Sequence, residues 1–122
     1  MSSSVNVSFI PNDITQSFSG NVVVVSNCTV SSNTGIIQIY NYDDTTESFS
    51  SPAHTISGPS TESYFGQSVD IDWDGNRIVV GANALANVYV YDYSEGSWVN
   101  SNVLSSTVGS DFGYSLSISK DG

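Results

Sequence analysis

The chain has 122 residues, 39% hydrophobic and 11% aromatic, enough for one small domain with a modest core and too apolar for wholesale disorder. Only 11% of the residues are charged, and the net charge is −10 with Arg77 and Lys120 as the sole basic side chains. Phosphate neutralisation needs clustered Lys and Arg, so neither nucleic acid nor an anionic membrane surface is expected as a partner.

The single cysteine, Cys28, leaves no intramolecular disulfide framework and no cysteine-cluster zinc site. It is expected to be a small buried or half-buried strand residue. The only histidine, His54, stands in a Ser/Pro/Thr stretch without catalytic context, so no Cys–His nucleophile pair is predicted. No apolar run approaches the roughly 20 residues of a membrane span, so no membrane insertion is expected. Met1 to Val5 lacks the basic and apolar regions of a signal peptide.

In chain order, short apolar or alternating runs recur. They are Val22–Val25, Ile36–Tyr40, Ser68–Ile71, Arg77–Val80, Val88–Tyr91 and Ser115–Ile118. Turn chemistry separates them at Ser19-Gly20-Asn21, Asn33-Thr34-Gly35, Asp74-Gly75-Asn76 and Ser94-Glu95-Gly96. No apolar stripe has the helical period, and β-branched residues with Ser, Asn and Gly dominate. The pattern predicts one all-β domain over residues 1–122 with no helix longer than about two turns.

The runs also repeat. Phe65-Gly66-Gln67-Ser68-Val69-Asp70-Ile71 to Asp74-Gly75 aligns without a gap on Phe112-Gly113-Tyr114-Ser115-Leu116-Ser117-Ile118 to Asp121-Gly122, 47 positions on. That period fits a propeller blade and exceeds a leucine-rich repeat. A decayed copy lies upstream. Gly20-Asn21-Val22 to Val25 parallels Gly75-Asn76-Arg77 to Val80, Ile37–Tyr42 parallels Val88–Tyr93, and Phe49 answers Trp98. Residues 8–20 sit where the first Phe-Gly strand belongs, without the Phe-Gly itself. Each part has a physical reason. Gly after Phe admits a crowding backbone, and Asp-Gly-Asn makes a tight turn. The Ile-Val-Val run reads as a strand covered on both faces, and Val-Tyr-Val-Tyr as a strand with one aromatic face. Four strands per unit make one blade of four-stranded antiparallel sheet.

These residues resemble the FG-GAP repeat, which builds the β-propeller of integrin α chains and of many microbial and viral surface proteins. Phe65-Gly66 matches the FG half and Gly81-Ala82 the GA of GAP, with Asn83 in place of the usual proline. The resemblance implies propeller-type blades in about two and a half repeats: residues 9–64 in degenerate form, 65–111, and 112–122 in part. Propellers close with about four to eight blades, so an incomplete propeller is expected. Calcium-binding members of the family carry a run of acidic residues closed by a final Asp. Asp70, Asp72, Asp74 and Gly75 satisfy its front half, but Ile78 stands at the closing position. Calcium takes about six to eight oxygens, so no tight calcium site and no other cofactor is expected.

No catalytic constellation is visible, and the chain is read as non-enzymatic. Abundant Ser, Thr and Asn with almost no Lys suit a structural protein of an extracellular or virion surface, and the missing signal peptide favours the virion. The core is expected from Val22–Val25, Ile37, Ile39, Val69, Ile71, Ile78–Val80, Val88, Val90, Leu116 and Ile118, so Val79→Asp should abolish folding. Open apolar faces at the ends of two blades call for completion, by the rest of a longer propeller of which this is a fragment or by protein partners, either copies of the chain or other shell proteins. Phe112, Tyr114, Leu116 and Ile118 are the predicted interaction residues. The alternative is an adhesin or lectin-like module, with Tyr91, Tyr93 and Trp98 as candidate sugar-stacking residues and Tyr40 and Tyr42 beside them. Asn6-Val7-Ser8 and Asn27-Cys28-Thr29 are glycosylation sequons.

Overall fold

The computed structural model describes residues 5, 7, 9–49, 52–107 and 112–122, and in it the alternating runs become strands of two antiparallel sheets. The first contains β1 (Asp13–Gln16), β2 (Val22–Asn27) and β3 (Ile36–Asp43), with β4 (Ser48–Phe49) and β5 (His54–Ser57) both pairing with β3. The second runs in sequence order through β6 (Phe65–Ile71), β7 (Arg77–Ala82), β8 (Asn87–Ser94) and β9 (Ser97–Ser105). Among the described residues the helical pieces are single turns at Val30–Asn33 and Asn83–Leu85, and Ser31 and Ser32 in the first have positive φ.

The second sheet has the expected four strands. The first has five because its outer strand is in two pieces. β4 pairs at the Tyr42 end of β3 and β5 at the Ile36–Ile39 end. Pro52 falls between them and has no N–H to give to a ladder.

The two sheets share one register. Gln16 faces Val23, which faces Tyr40; Ile71 faces Ile78, which faces Tyr91. Farther out, Tyr42 meets Phe49 and Tyr93 meets Trp98. Three turns close alike. The N–H groups of Gly20, Gly75 and Gly122 donate to the carbonyls of Ser17, Asp72 and Ser119 at 2.9, 3.2 and 3.0 Å. All three glycines have φ near +80° (+78°, +80° and +78°), a conformation that favours glycine over any residue with a Cβ.

The main core lies between the sheets. Val24, Ile37 and Ile39 of the first meet Phe65, Val69, Ile71, Ile78, Val80 and Ala82 of the second, with Tyr89, Tyr91 and Trp98 packed at the margin. A smaller cluster of Val23, Val25 and Tyr40 occupies the far face of the first sheet, under Val5, Val7, Phe9 and Phe49. β2 is thus covered on both faces, whereas the expectation of the same for the Ile-Val-Val run of β7 is corrected. Ile78 and Val80 are buried, while Val79 points to the other face and is half-buried. The expectation that Val79→Asp abolishes folding is corrected, because the carboxylate there keeps access to water. Val22, Val90, Leu116 and Ile118 are likewise half-buried. Tyr40 and Phe65, left out of the predicted core, are the largest fully buried side chains. Ser115–Ile118, predicted as a strand, joins no ladder.

Candidate functional site: the open face of the second sheet

Register identifies what each face does. The near face of the first sheet carries Val22, Val24, Ile37, Ile39 and Ile56, and the second sheet covers it. The corresponding positions on the second sheet are Arg77, Val79, Val88, Val90 and Leu104, on the face turned away from the core. Val88 is buried, Val79 and Val90 are half-buried, and Leu104 keeps 48% of its surface exposed. Four of five positions are aliphatic, and no second sheet lies over them among the described residues.

Residues 112–122 are the exception, for they dock on this sheet from within the chain. Ser68 Oγ donates to Gly113 O at 3.0 Å, and Ile118 N–H donates to Asp70 Oδ2 at 2.9 Å. Trp73 N–H donates to Lys120 O at 3.1 Å, and Arg77 Nη1 to Gly122 O at 2.6 Å. One of these connections recurs between the two sheets: Phe18 N–H donates to Trp73 O at 3.0 Å, as Trp73 N–H does to Lys120 O. Val69 N–H also donates to Asp13 Oδ2 at 2.9 Å. Gly66 nests beside the Ile36 carbonyl and the Asn27 N–H; Gly113 nests beside the Asn87 carbonyl and the Ala82 N–H. These partners are counterparts in the shared register. A Cβ on Gly81 would come within 1.9 Å of the Gly113 carbonyl oxygen, so the docked segment itself requires glycine there.

The predicted interaction residues therefore sit together, on a segment laid against its own chain. Phe112 and Tyr114 are exposed, and Leu116 and Ile118 are half-buried.

The three acidic residues weighed for calcium do separate tasks. Asp70 accepts from Thr15 Oγ1 and Ile71 N–H at Oδ1 and from Ile118 N–H at Oδ2, so its two oxygens tie β6 to β1 and to the docked segment. Asp72 is buried and closes its turn by accepting Asn76 N–H and Arg77 N–H at 2.8 and 3.0 Å. Asp74 is exposed. This donor set does not converge, and no trio of His, Cys, Asp or Glu among the described residues is placed to hold a metal.

The aromatic candidates also divide. Tyr91 and Trp98 pack on the core margin, and burial, aided by neighbouring Tyr89, pushes the Tyr91 phenol up to about 12. Tyr93 is exposed, its ring 5.3 Å from Trp98 and 6.0 Å from His54. Tyr93 and Trp98, without Tyr91, line a shallow cleft of about 190 Å³ with Val22, Asn41, Asp74, Gly75 and Asn76, between the sheets. Tyr40 is buried in the far cluster, and Tyr42 makes an edge contact with Phe49.

Cys28 follows β2 directly and is buried, its thiol 3.3 Å from Gln67 Oε1, and burial raises its pKa, as befits an unreactive thiol. Asn27 of the second sequon donates its amide to Ile10 O at 2.6 Å; Asn6 lies outside the described residues. Two features escape sequence reasoning. Phe18 and Trp73 stack with centroids 3.8 Å apart, and Lys120 Nζ lies 4.7 Å from the Trp73 centroid. All three occupy the second position of the equivalent turns, so the alignment holds the signal. Arg77 pairs with Asp92 at 2.6 Å, which holds the Asp92 carboxyl below the usual range.

No protein-family model matches this chain, and no curated protein matches it.

Proposed function

We propose that the chain is a non-enzymatic structural module that works by assembly. In this reading it is built of about two and a half FG-GAP-like, propeller-type blades, and it joins protein partners in an extracellular or virion surface. The observation that supports assembly is the aliphatic face at Val79, Val88, Val90 and Leu104, whose counterpart on the first sheet is buried. A partly exposed copy of a core face is what an interaction surface looks like. With a net charge of −10 opposing self-association, the contacts are apolar and strand-mediated rather than ionic. Sedimentation velocity of the full chain and of a chain lacking residues 112–122 tests this. Concentration-dependent association is expected, weakened more by the deletion than by changes between Asp43 and Glu47. A folded full chain that stays strictly monomeric at high concentration would end the reading.

A second reading, an adhesin or lectin-like module, draws on the cleft at Tyr93 and Trp98. An aromatic platform beside Asn41, Asp74 and Asn76 has the chemistry to stack and hydrogen-bond a sugar. Glycan-array binding that is lost in Trp98→Ala would favour it, and a blank array would remove it.

A further inference from the structure

Deepening the assembly reading, we propose that the open face and the docked segment Phe112–Gly122 together form a receptor for one kind of partner. That partner is a three-stranded antiparallel meander of the β7–β9 kind, with Phe112–Gly122 serving as its missing first strand.

The inference rests on counterpart contacts. Where the second sheet covers the first, its leading segment Phe65–Gly75 is anchored at three places: Gly66 in the Asn27–Ile36 nest, the Trp73 carbonyl on the Phe18 N–H, and the Asp72–Gly75 turn on Val22. Phe112–Gly122 is anchored on the second sheet at the corresponding places: Gly113 in the Ala82–Asn87 nest, the Lys120 carbonyl on the Trp73 N–H, and the Ser119–Gly122 turn on Arg77. After Gly75 the chain continues as β7 to β9, and that meander covers Val24, Ile37 and Ile39. Beyond Gly122 the matching positions Val79, Val88, Val90 and Leu104 are already in place. A leading segment set in this register leaves its free edge and an adjoining aliphatic face for three further strands. Strand addition supplies the ladder, and the alternate side chains fill the face. The partner therefore presents an aliphatic and aromatic stripe like that of Ile78, Val80, Tyr89 and Tyr91. Its strand nearest Phe112–Gly122 runs antiparallel to it.

The test extends the intact chain after Gly122 with its own residues 76–107, the point at which β7 begins after Gly75. Amide hydrogen exchange is read residue by residue. The expected result is that Leu116 to Ser119 slow by tenfold or more, on the order of one further cooperative unit of protection, and that the appended strands become protected. A second extended chain carries Val90→Asp and Leu104→Asp in the original sheet. It should lose protection in the appended strands while β2, β3 and β7 keep theirs. Appended strands that exchange like unfolded chain, with Leu116–Ser119 unchanged, would overturn the inference. So would appended strands that stay protected in the doubly substituted chain. The unextended chain separates this from the assembly reading. If it remains monomeric while the extension folds, the assembly reading fails and the receptor stands; if it associates while the extension stays unfolded, the reverse holds.

Discussion

Phe65–Gly75 and Phe112–Gly122 share a motif, a docking register and a closing turn, yet they end in different states. Phe65 is fully buried, with Tyr89 and Tyr91 edge-on to its ring at centroid distances of 5.6 and 6.3 Å. Phe112 keeps 36% of its surface. The first segment becomes β6 because β7 pairs with it; the second joins no ladder. Its anchors come instead from Ser68 and Asp70 of β6, from Arg77 of β7 and from the Trp73 N–H. The motif therefore encodes where a segment docks, and the strands that follow decide whether it becomes a strand and whether its phenylalanine enters a core.

The sharpest way to break this comparison is to place a charge on each of two matched positions. Val24 is fully buried between the sheets, and Val79 is its half-exposed counterpart. Val24→Asp should cost on the order of 4 kcal/mol, because an unpaired carboxylate is buried there. Val79→Asp should cost about 1 kcal/mol, since water reaches it. Urea denaturation of both variants measures the gap, and equal losses would mean that the second face is not open.

The aromatic pair comes next. Phe65→Ala should destabilise by roughly 3–5 kcal/mol, the range for a large buried ring. Phe112→Ala should cost about 1 kcal/mol and leave the melting of both sheets intact. A third comparison concerns glycine. Gly81→Ala drives a methyl into the Gly113 carbonyl, so residues 112–122 should detach at a cost of roughly 1–2 kcal/mol, visible as faster amide exchange at Ile118.

The smallest effect is on acid stability. The Asp92 carboxyl is held below its ordinary value of 3.8, chiefly by its hydrogen bond from Arg77. The contribution is therefore complete above pH 3.8 and is lost as pH falls through the lower folded-state value. The pair is exposed, so the change is modest. Asp92→Asn should flatten that part of a stability–pH curve and leave the neutral plateau little altered.

Much of the strand layout was legible from residue order. Alternation at Ile36–Tyr40 and Val88–Tyr91 marks β3 and β8, and the glycine turns mark their ends. The parallels drawn between Ile37–Tyr42 and Val88–Tyr93 coincide with the observed register. Burial was less legible. Val79 and Val90 look like core residues because an aliphatic run carries no sign of which face has a partner. Tyr40 reads from sequence as an exposed, sugar-stacking aromatic, yet it is buried, its hydroxyl donating to Gln38 Oε1 at 2.9 Å. For the candidate site, the Phe-Gly motif located the docked segment. Its tie to its own sheet depends on Ser68 and Asp70, single polar residues whose use only the fold reveals.

The split outer strand of the first sheet has a consequence for solubility. Pro52 interrupts that flank, and Asp43, Asp44 and Glu47 crowd its hairpin. The matching outer strand of the second sheet, β9, runs nine residues from Ser97 to Ser105 without a charge or a proline. Its ladder is broken only by the bulge at Ser101, and a long border without charge is the type of edge along which proteins stick to one another in concentrated solution. Long-range repulsion from the net charge of −10 holds such molecules apart in dilute buffer. Salt shortens that repulsion to roughly 8 Å at physiological ionic strength, so clouding on salt addition should begin along β9, and a lysine in its middle should delay it.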